Sequence, residues 1–114
     1  MNLKRVVVTG LGSLTPIGND TATTWQAMLD GVSGAGPITR FDTTDFKCKI
    51  ACEVKGFDPT NFFDRKEIRK LDLFSQYGLV ASEEAIKDSG LDDKKVNRTR
   101  VGVIWGSGNG GVLS

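Results

Sequence analysis

The sequence predicts an α/β protein in which helices cover a sheet. Three observations point there. Two short apolar runs, Arg5 to Thr9 and Val101 to Trp105, lack polar alternation, as strands buried on both faces do. Two stretches, Ala22 to Asp30 and Arg65 to Ser89, carry apolar residues at helical spacing. The resulting order, β–α–β–α–β with long connections, is that of a layered sheet.

The first strand ends at Gly10, and Gly12, Pro16 and Gly18 follow closely. Asn19, Asp20 and Thr21 offer caps for a helix over Ala22 to Asp30. Trp25, Met28 and Leu29 form its apolar face, and Gly31 stands where it should stop. Residues 31 to 45 read as loop. From Phe46 to Val54 apolar and polar residues alternate, the period of a half-buried strand. Cys48 and Cys52 fall on its apolar face. Four residues of strand span about 13 Å, too far for a disulfide, so two reduced, buried thiols are expected.

Phe57 to Phe63 is a turn whose aromatics are expected to pack. In the second helical region Asp64 is the cap and Gly90 the stop. Leu71, Leu73, Phe74, Tyr77, Leu79, Val80 and Ala81 cover most of the circumference, which predicts a helix buried between layers. Gly78 inside it costs about 1 kcal/mol against Ala, and close approach of another backbone would explain it.

With 114 residues, 39% hydrophobic and 25% charged, the chain has the composition of one globular domain. A net charge of +1 argues against nucleic-acid binding. No apolar run approaches the roughly 20 residues that cross a bilayer, and the amino terminus lacks a signal peptide's apolar core. No membrane association and a cytoplasmic location are expected. The chain has no His, the usual acid–base group near neutral pH. It also ends at Val112-Leu113-Ser114 with no closing element, so it is expected to be incomplete.

Three groups of residues are candidates for function. Gly10-Leu11-Gly12 after a strand resembles the start of a dinucleotide fingerprint. The third small position holds Thr15, however, and Pro16 opposes an immediate helix. Arg65, Lys66, Arg69 and Lys70 place four cations at one end of a helix. They are either a solvated helix start with Asp64, Glu67 and Asp72 as partners, or a docking patch. Basic residues at a helix amino end oppose its dipole, so another pressure would have to select them. Gly106 to Gly111 is a glycine-rich turn after a strand, without the Gly-Lys-Ser/Thr of a P-loop.

Val6-Val7-Val8-Thr9-Gly10-Leu11-Gly12 and Thr15-Pro16-Ile17-Gly18-Asn19 resemble the amino terminus of the β-ketoacyl-acyl carrier protein synthases, especially their elongating branch. Trp25, Gly31, Phe41-Asp42, Arg65-Lys66-Glu67, Arg69-Lys70-Leu71-Asp72, Gln76-Tyr77, Asp88-Ser89-Gly90-Leu91 and Gly106-Ser107-Gly108 keep the order and spacing of that family. The resemblance implies a thiolase-like fold, two αβα halves stacked as αβαβα, with residues 1–114 as part of the first half only. It implies acyl transfer to a Cys, then decarboxylative condensation with malonyl-acyl carrier protein, in a homodimer with no metal or organic cofactor.

The family's nucleophilic Cys and its two His belong to later motifs, so no catalytic residue is expected here, and neither Cys48 nor Cys52 matches the nucleophile. The resemblance makes Lys66, Arg69 and Lys70, with Arg65 beside them, a docking patch for acyl carrier protein. It places Gly108, Asn109 and Gly110 at the acyl pocket, where position 109 is usually apolar, often Ile, and gates the depth of the acyl chain. Two other functions stay open: a truncated module that binds carrier protein without catalysis, and a dinucleotide-binding oxidoreductase domain.

Overall fold

The structure is a computed structural model and describes residues 1–92 and 95–112. Its elements, in chain order, are α1 (Thr21–Leu29), β1 (Ala35–Pro37), β2 (Ile50–Cys52), a 3-10 turn at Pro59–Asn61, α2 (Arg65–Lys70), α3 (Leu73–Ser89) and a second 3-10 turn at Arg98–Arg100.

Helix boundaries follow the local chemistry. Asp20 caps α1 by accepting from the Thr23 N–H at 2.6 Å. After α1, Gly31 takes a left-handed φ of 66° and its N–H reaches the Met28 carbonyl. Asp64 accepts from the N–H groups of Lys66 and Glu67, and the Glu67 carboxylate accepts from the Asp64 N–H. That reciprocal pair is a capping box. Gly90 closes α3 with φ 71°.

The expected single helix over Arg65 to Ser89 is two. Leu71 is extended (φ −106°, ψ 122°), and Asp72 begins α3 with an extended backbone and no side-chain cap bond. Gln76, only 5% exposed, donates its Nε2 to the Leu71 carbonyl at 2.9 Å and so satisfies a group that neither helix pairs. The all-round burial expected for this stretch is also absent. Gln76, Gly78, Val80 and Ala81 are buried, while Leu79 is exposed.

The sheet differs most from expectation. Among the described residues it has two strands, β1 and β2, antiparallel, with Ala35 opposite Cys52 and Pro37 opposite Ile50. β1 lies inside the stretch expected to be loop, and the strand expected over Phe46 to Val54 shortens to three residues. Cys48 and Cys52 are free but exposed, not buried. Pairing alone does not bury a face: Cys52 is paired with Ala35 and still exposed, because a ribbon of two strands has no second layer to cover it.

Val6-Val7-Val8 and Val101 to Trp105 form no ladder among the described residues; Val6 is 90% and Ile104 100% exposed. A strand is completed by a neighbour's hydrogen bonds, and no described segment supplies them. The apolar face expected on α1 is likewise outward: Trp25, Met28 and Leu29 are exposed and Ala27 is the residue buried. The radius of gyration is 17.4 Å, against about 13 Å for a compact domain of this length.

What holds the molecule together is α3. The amino-terminal segment lies on its backbone at Gly10 and Gly12, where a Cβ would collide with Ala85 and Ser89, and with Ala81, respectively. Glu84 accepts from the N–H groups of Ser13 (2.9 Å) and Thr21 (2.8 Å), and Asp88 from that of Leu11 (2.9 Å). Lys55 pins the Thr15–Gly18 turn, its Nζ donating to the carbonyls of Pro16, Gly34 and Glu53.

Candidate functional site: a basic helix beside a glycine-rich loop

The six residues of α2 begin at the Asp64 cap and rest against the Pro59–Asn61 turn. Phe57 anchors that turn, stacking on Phe62 (centroids 5.8 Å) and meeting Tyr77 of α3 edge-on (5.1 Å). These aromatics pack, as expected from the sequence.

Arg65, Lys66, Arg69 and Lys70 are all exposed. None makes an ion pair or side-chain hydrogen bond among the described residues. The acids named as their partners are otherwise placed: Asp64 and Glu67 form the capping box, and Asp72 lies beyond the break. Because α2 stops at Lys70, Arg69 and Lys70 occupy its last turn, where the dipole favours cations. The conflict with the helix dipole expected for the whole cluster is therefore confined to Arg65 and Lys66.

Two residues past α2 the chain enters a cleft of about 460 Å³ walled by Arg40, Asp72, Leu73, Phe74, Asn109 and Val112. Gly110 sits on the Phe74 ring, and a Cβ there would come within 2.6 Å of it. Asn109 is exposed at the cleft, and its side chain makes no hydrogen bond among the described residues. A Cβ on Gly108 would meet nothing within 4 Å. The Trp105 indole covers Gly78, 2.8 Å from where a Cβ would stand. The close neighbour expected at Gly78 is thus a side chain rather than a backbone.

The structure brings Asn109 and Gly110 to the first turn of α3, and α2 to the same end of that helix. Arg40 is a residue the sequence reading missed. Its guanidinium donates to the Tyr77 hydroxyl at 3.2 Å and lies 4.0 Å from Glu53, so it braces the cleft wall. It stands alone in a loop, and no spacing marks it.

The Gly10-Leu11-Gly12 loop has no room for a nucleotide phosphate. The Leu11 and Ser13 N–H groups that would cradle an anion are engaged by the carboxylates of Asp88 and Glu84. Its glycines serve contact with α3 instead. Among the described residues, no group of His, Cys, Asp or Glu is arranged to hold a metal, and no helix is long and apolar enough to cross a membrane.

Glycine-containing loops at Gly10–Gly12 and Gly110 thus lie against α3, with the basic α2 leading into its amino end. The family model for the β-ketoacyl synthase amino-terminal domain matches residues 3–113, and the chain belongs to that family. Similar curated proteins are the 3-oxoacyl-[acyl-carrier-protein] synthases 2 of Synechocystis, 49% identical over 96% of this chain, and of Coxiella burnetii, 49% identical over 98%.

This chain spans 26% and 27% of their respective lengths. Among solved structures, the ishigamide ketosynthase/chain length factor superimposes with a TM-score of 0.67 at 36% identity, covering 74% of this chain and 21% of that one. The fold is thus α/β and thiolase-like, with the chain forming part of one half.

Proposed function

We propose that residues 1–114 serve an elongating 3-oxoacyl-acyl carrier protein synthase, supplying its carrier-docking helix and one rim of its acyl pocket. The reaction is acyl transfer from a carrier thioester to an active-site Cys, followed by loss of CO2 from malonyl-carrier protein. The resulting carbanion attacks the acyl carbonyl and releases the Cys thiolate. The nucleophile and its acid–base partners come from outside these residues, which contain no His and whose two cysteines lie exposed at and beside β2. The synthase works as a homodimer in this reading.

The observation that carries the docking role is the state of α2. Its four cations are exposed and without acidic partners among the described residues, although acids flank them in sequence. An acidic carrier protein fits such a patch. Each exposed pair contributes about 0.2–1 kcal/mol, so the patch acts chiefly by steering and orienting the carrier, and weakens with salt. Lys66→Glu, Arg69→Glu and Lys70→Glu together in the full-length enzyme are expected to raise the KM for acyl-carrier protein and flatten its salt dependence. Unchanged carrier binding would refute the docking role.

Asn109 sits where the family gates its acyl pocket. An amide facing a hydrocarbon chain without hydrogen bonds costs about 1–3 kcal/mol. Asn109→Ile is therefore expected to shift the preferred acyl length. Identical chain-length profiles for the two proteins would refute the gating role.

A further inference from the structure

We infer that Gln76 is a positioning residue that sets the angle between α2 and α3 and so aims the basic helix at its partner. The inference rests on the docking role proposed for α2. A helix of six residues is too short to hold itself in water, so its direction depends on how its ends are fixed. The amino end is closed by the capping box of Asp64 and Glu67. The carboxyl end runs into the extended Leu71, and the next residue, Asp72, starts α3 without a side-chain cap bond.

Among the described residues, one side-chain hydrogen bond crosses this break: Gln76 Nε2 to the Leu71 carbonyl at 2.9 Å. The amide's orientation is fixed chemically, because a carbonyl only accepts and the Gln nitrogen must therefore face it. Gln76 is 5% exposed and Leu71 half-buried, so the bond is partly shielded from competing water. Its Oε1 is also buried and has no partner among the described residues.

A buried amide that makes one of its four possible hydrogen bonds is costly compared with an apolar residue of similar shape. Packing alone does not account for a Gln here, whereas holding the Leu71 carbonyl does. The orphaned oxygen is a ready acceptor for one further donor, which would lock the same joint from the other side.

The test uses the full-length synthase carrying Gln76→Met, which keeps volume and loses the donor, and Gln76→Glu, which replaces the donor with an acceptor. KM and kcat are measured with acyl-carrier protein and with carrier-free pantetheine thioesters, and hydrogen exchange is followed at the amides of residues 67–71. Loss of the bond is expected to raise the carrier KM about tenfold, leave turnover of the carrier-free thioester unchanged, and speed exchange at those amides.

Equal losses with both substrates, unchanged carrier KM, or failure of both variants to fold would overturn the positioning role. The charge-reversal variant separates the two readings. If it weakens carrier binding while Gln76→Met does not, Gln76 is dismissed and docking stands; if neither matters, both fall.

Discussion

Gly12 and Gly10 are decided by distance. Each lies so near the α3 backbone that a methyl group would overlap main-chain atoms, which cannot rotate away. Gly12→Ala is expected to destabilise the protein by about 1–3 kcal/mol, the range for overpacking a fitted contact. Urea unfolding would read this as a lower midpoint at unchanged slope.

The carboxylates that close turns make a second prediction. The Thr23 N–H and hydroxyl hold the Asp20 carboxyl below the usual range. Thr44 acts in the same way on Asp42, Thr60 on Asp58 and Thr39 on Glu53, in each case chiefly through the Thr hydroxyl. A folded-state pKa below the unfolded one adds stability that is present above the unfolded value and lost as pH falls through the folded value. Stability should hold above about pH 5 and fall progressively below it, as the unfolded Asp and Glu begin to protonate while the folded ones stay ionised. Asp20→Asn keeps a capping acceptor but does not titrate, so its unfolding free energy should fall less steeply over that range.

At the scale of elements, the caps were legible because each is a local contest. Asp20, Asp64 and Gly90 are chosen by chemistry within four residues, and all three stand where the sequence puts them. The break at Leu71 was not legible, since apolar periodicity runs through it and the Gln76 side chain that satisfies it lies five residues on. β1 was hidden by its composition: Ala35, Gly36 and Pro37 pair by backbone alone. For the candidate site, the basic cluster and the glycine loop were visible as motifs. Arg40 was not, because its partners Tyr77 and Glu53 are distant in sequence.

The capping box gives this scale its own prediction. Asp64→Ala removes the acceptor for two N–H groups and is expected to cost about 1 kcal/mol. It should also raise amide exchange within α2 while leaving α3 protected.

The whole molecule exposes much of what its composition would bury. Among the described residues, Ala27, Val80 and Ala81 are the buried apolar side chains, whereas Val6, Val8, Val103 and Ile104 lie open. So many exposed apolar side chains need a cover or make the surface sticky. Residues 1–114 expressed by themselves should bind a hydrophobic dye and self-associate with rising concentration. In the full-length synthase the same valines should be protected. Absence of dye binding would refute this exposure in solution.

The bonds from Glu84 and Asp88 to the amino-terminal loop span 71, 63 and 77 positions for Ser13, Thr21 and Leu11 respectively. They impose an order on assembly. On a ribosome adding roughly 5–20 residues per second, the Gly10–Gly12 segment emerges about 4–14 s before the helix that fits it. Through that interval its glycines and the Leu11 and Ser13 N–H groups have no native helix to meet, and such distant contacts are slow to close. Nascent chains arrested before Ala81 should therefore engage chaperones, and chains arrested well past Gly90 should release them.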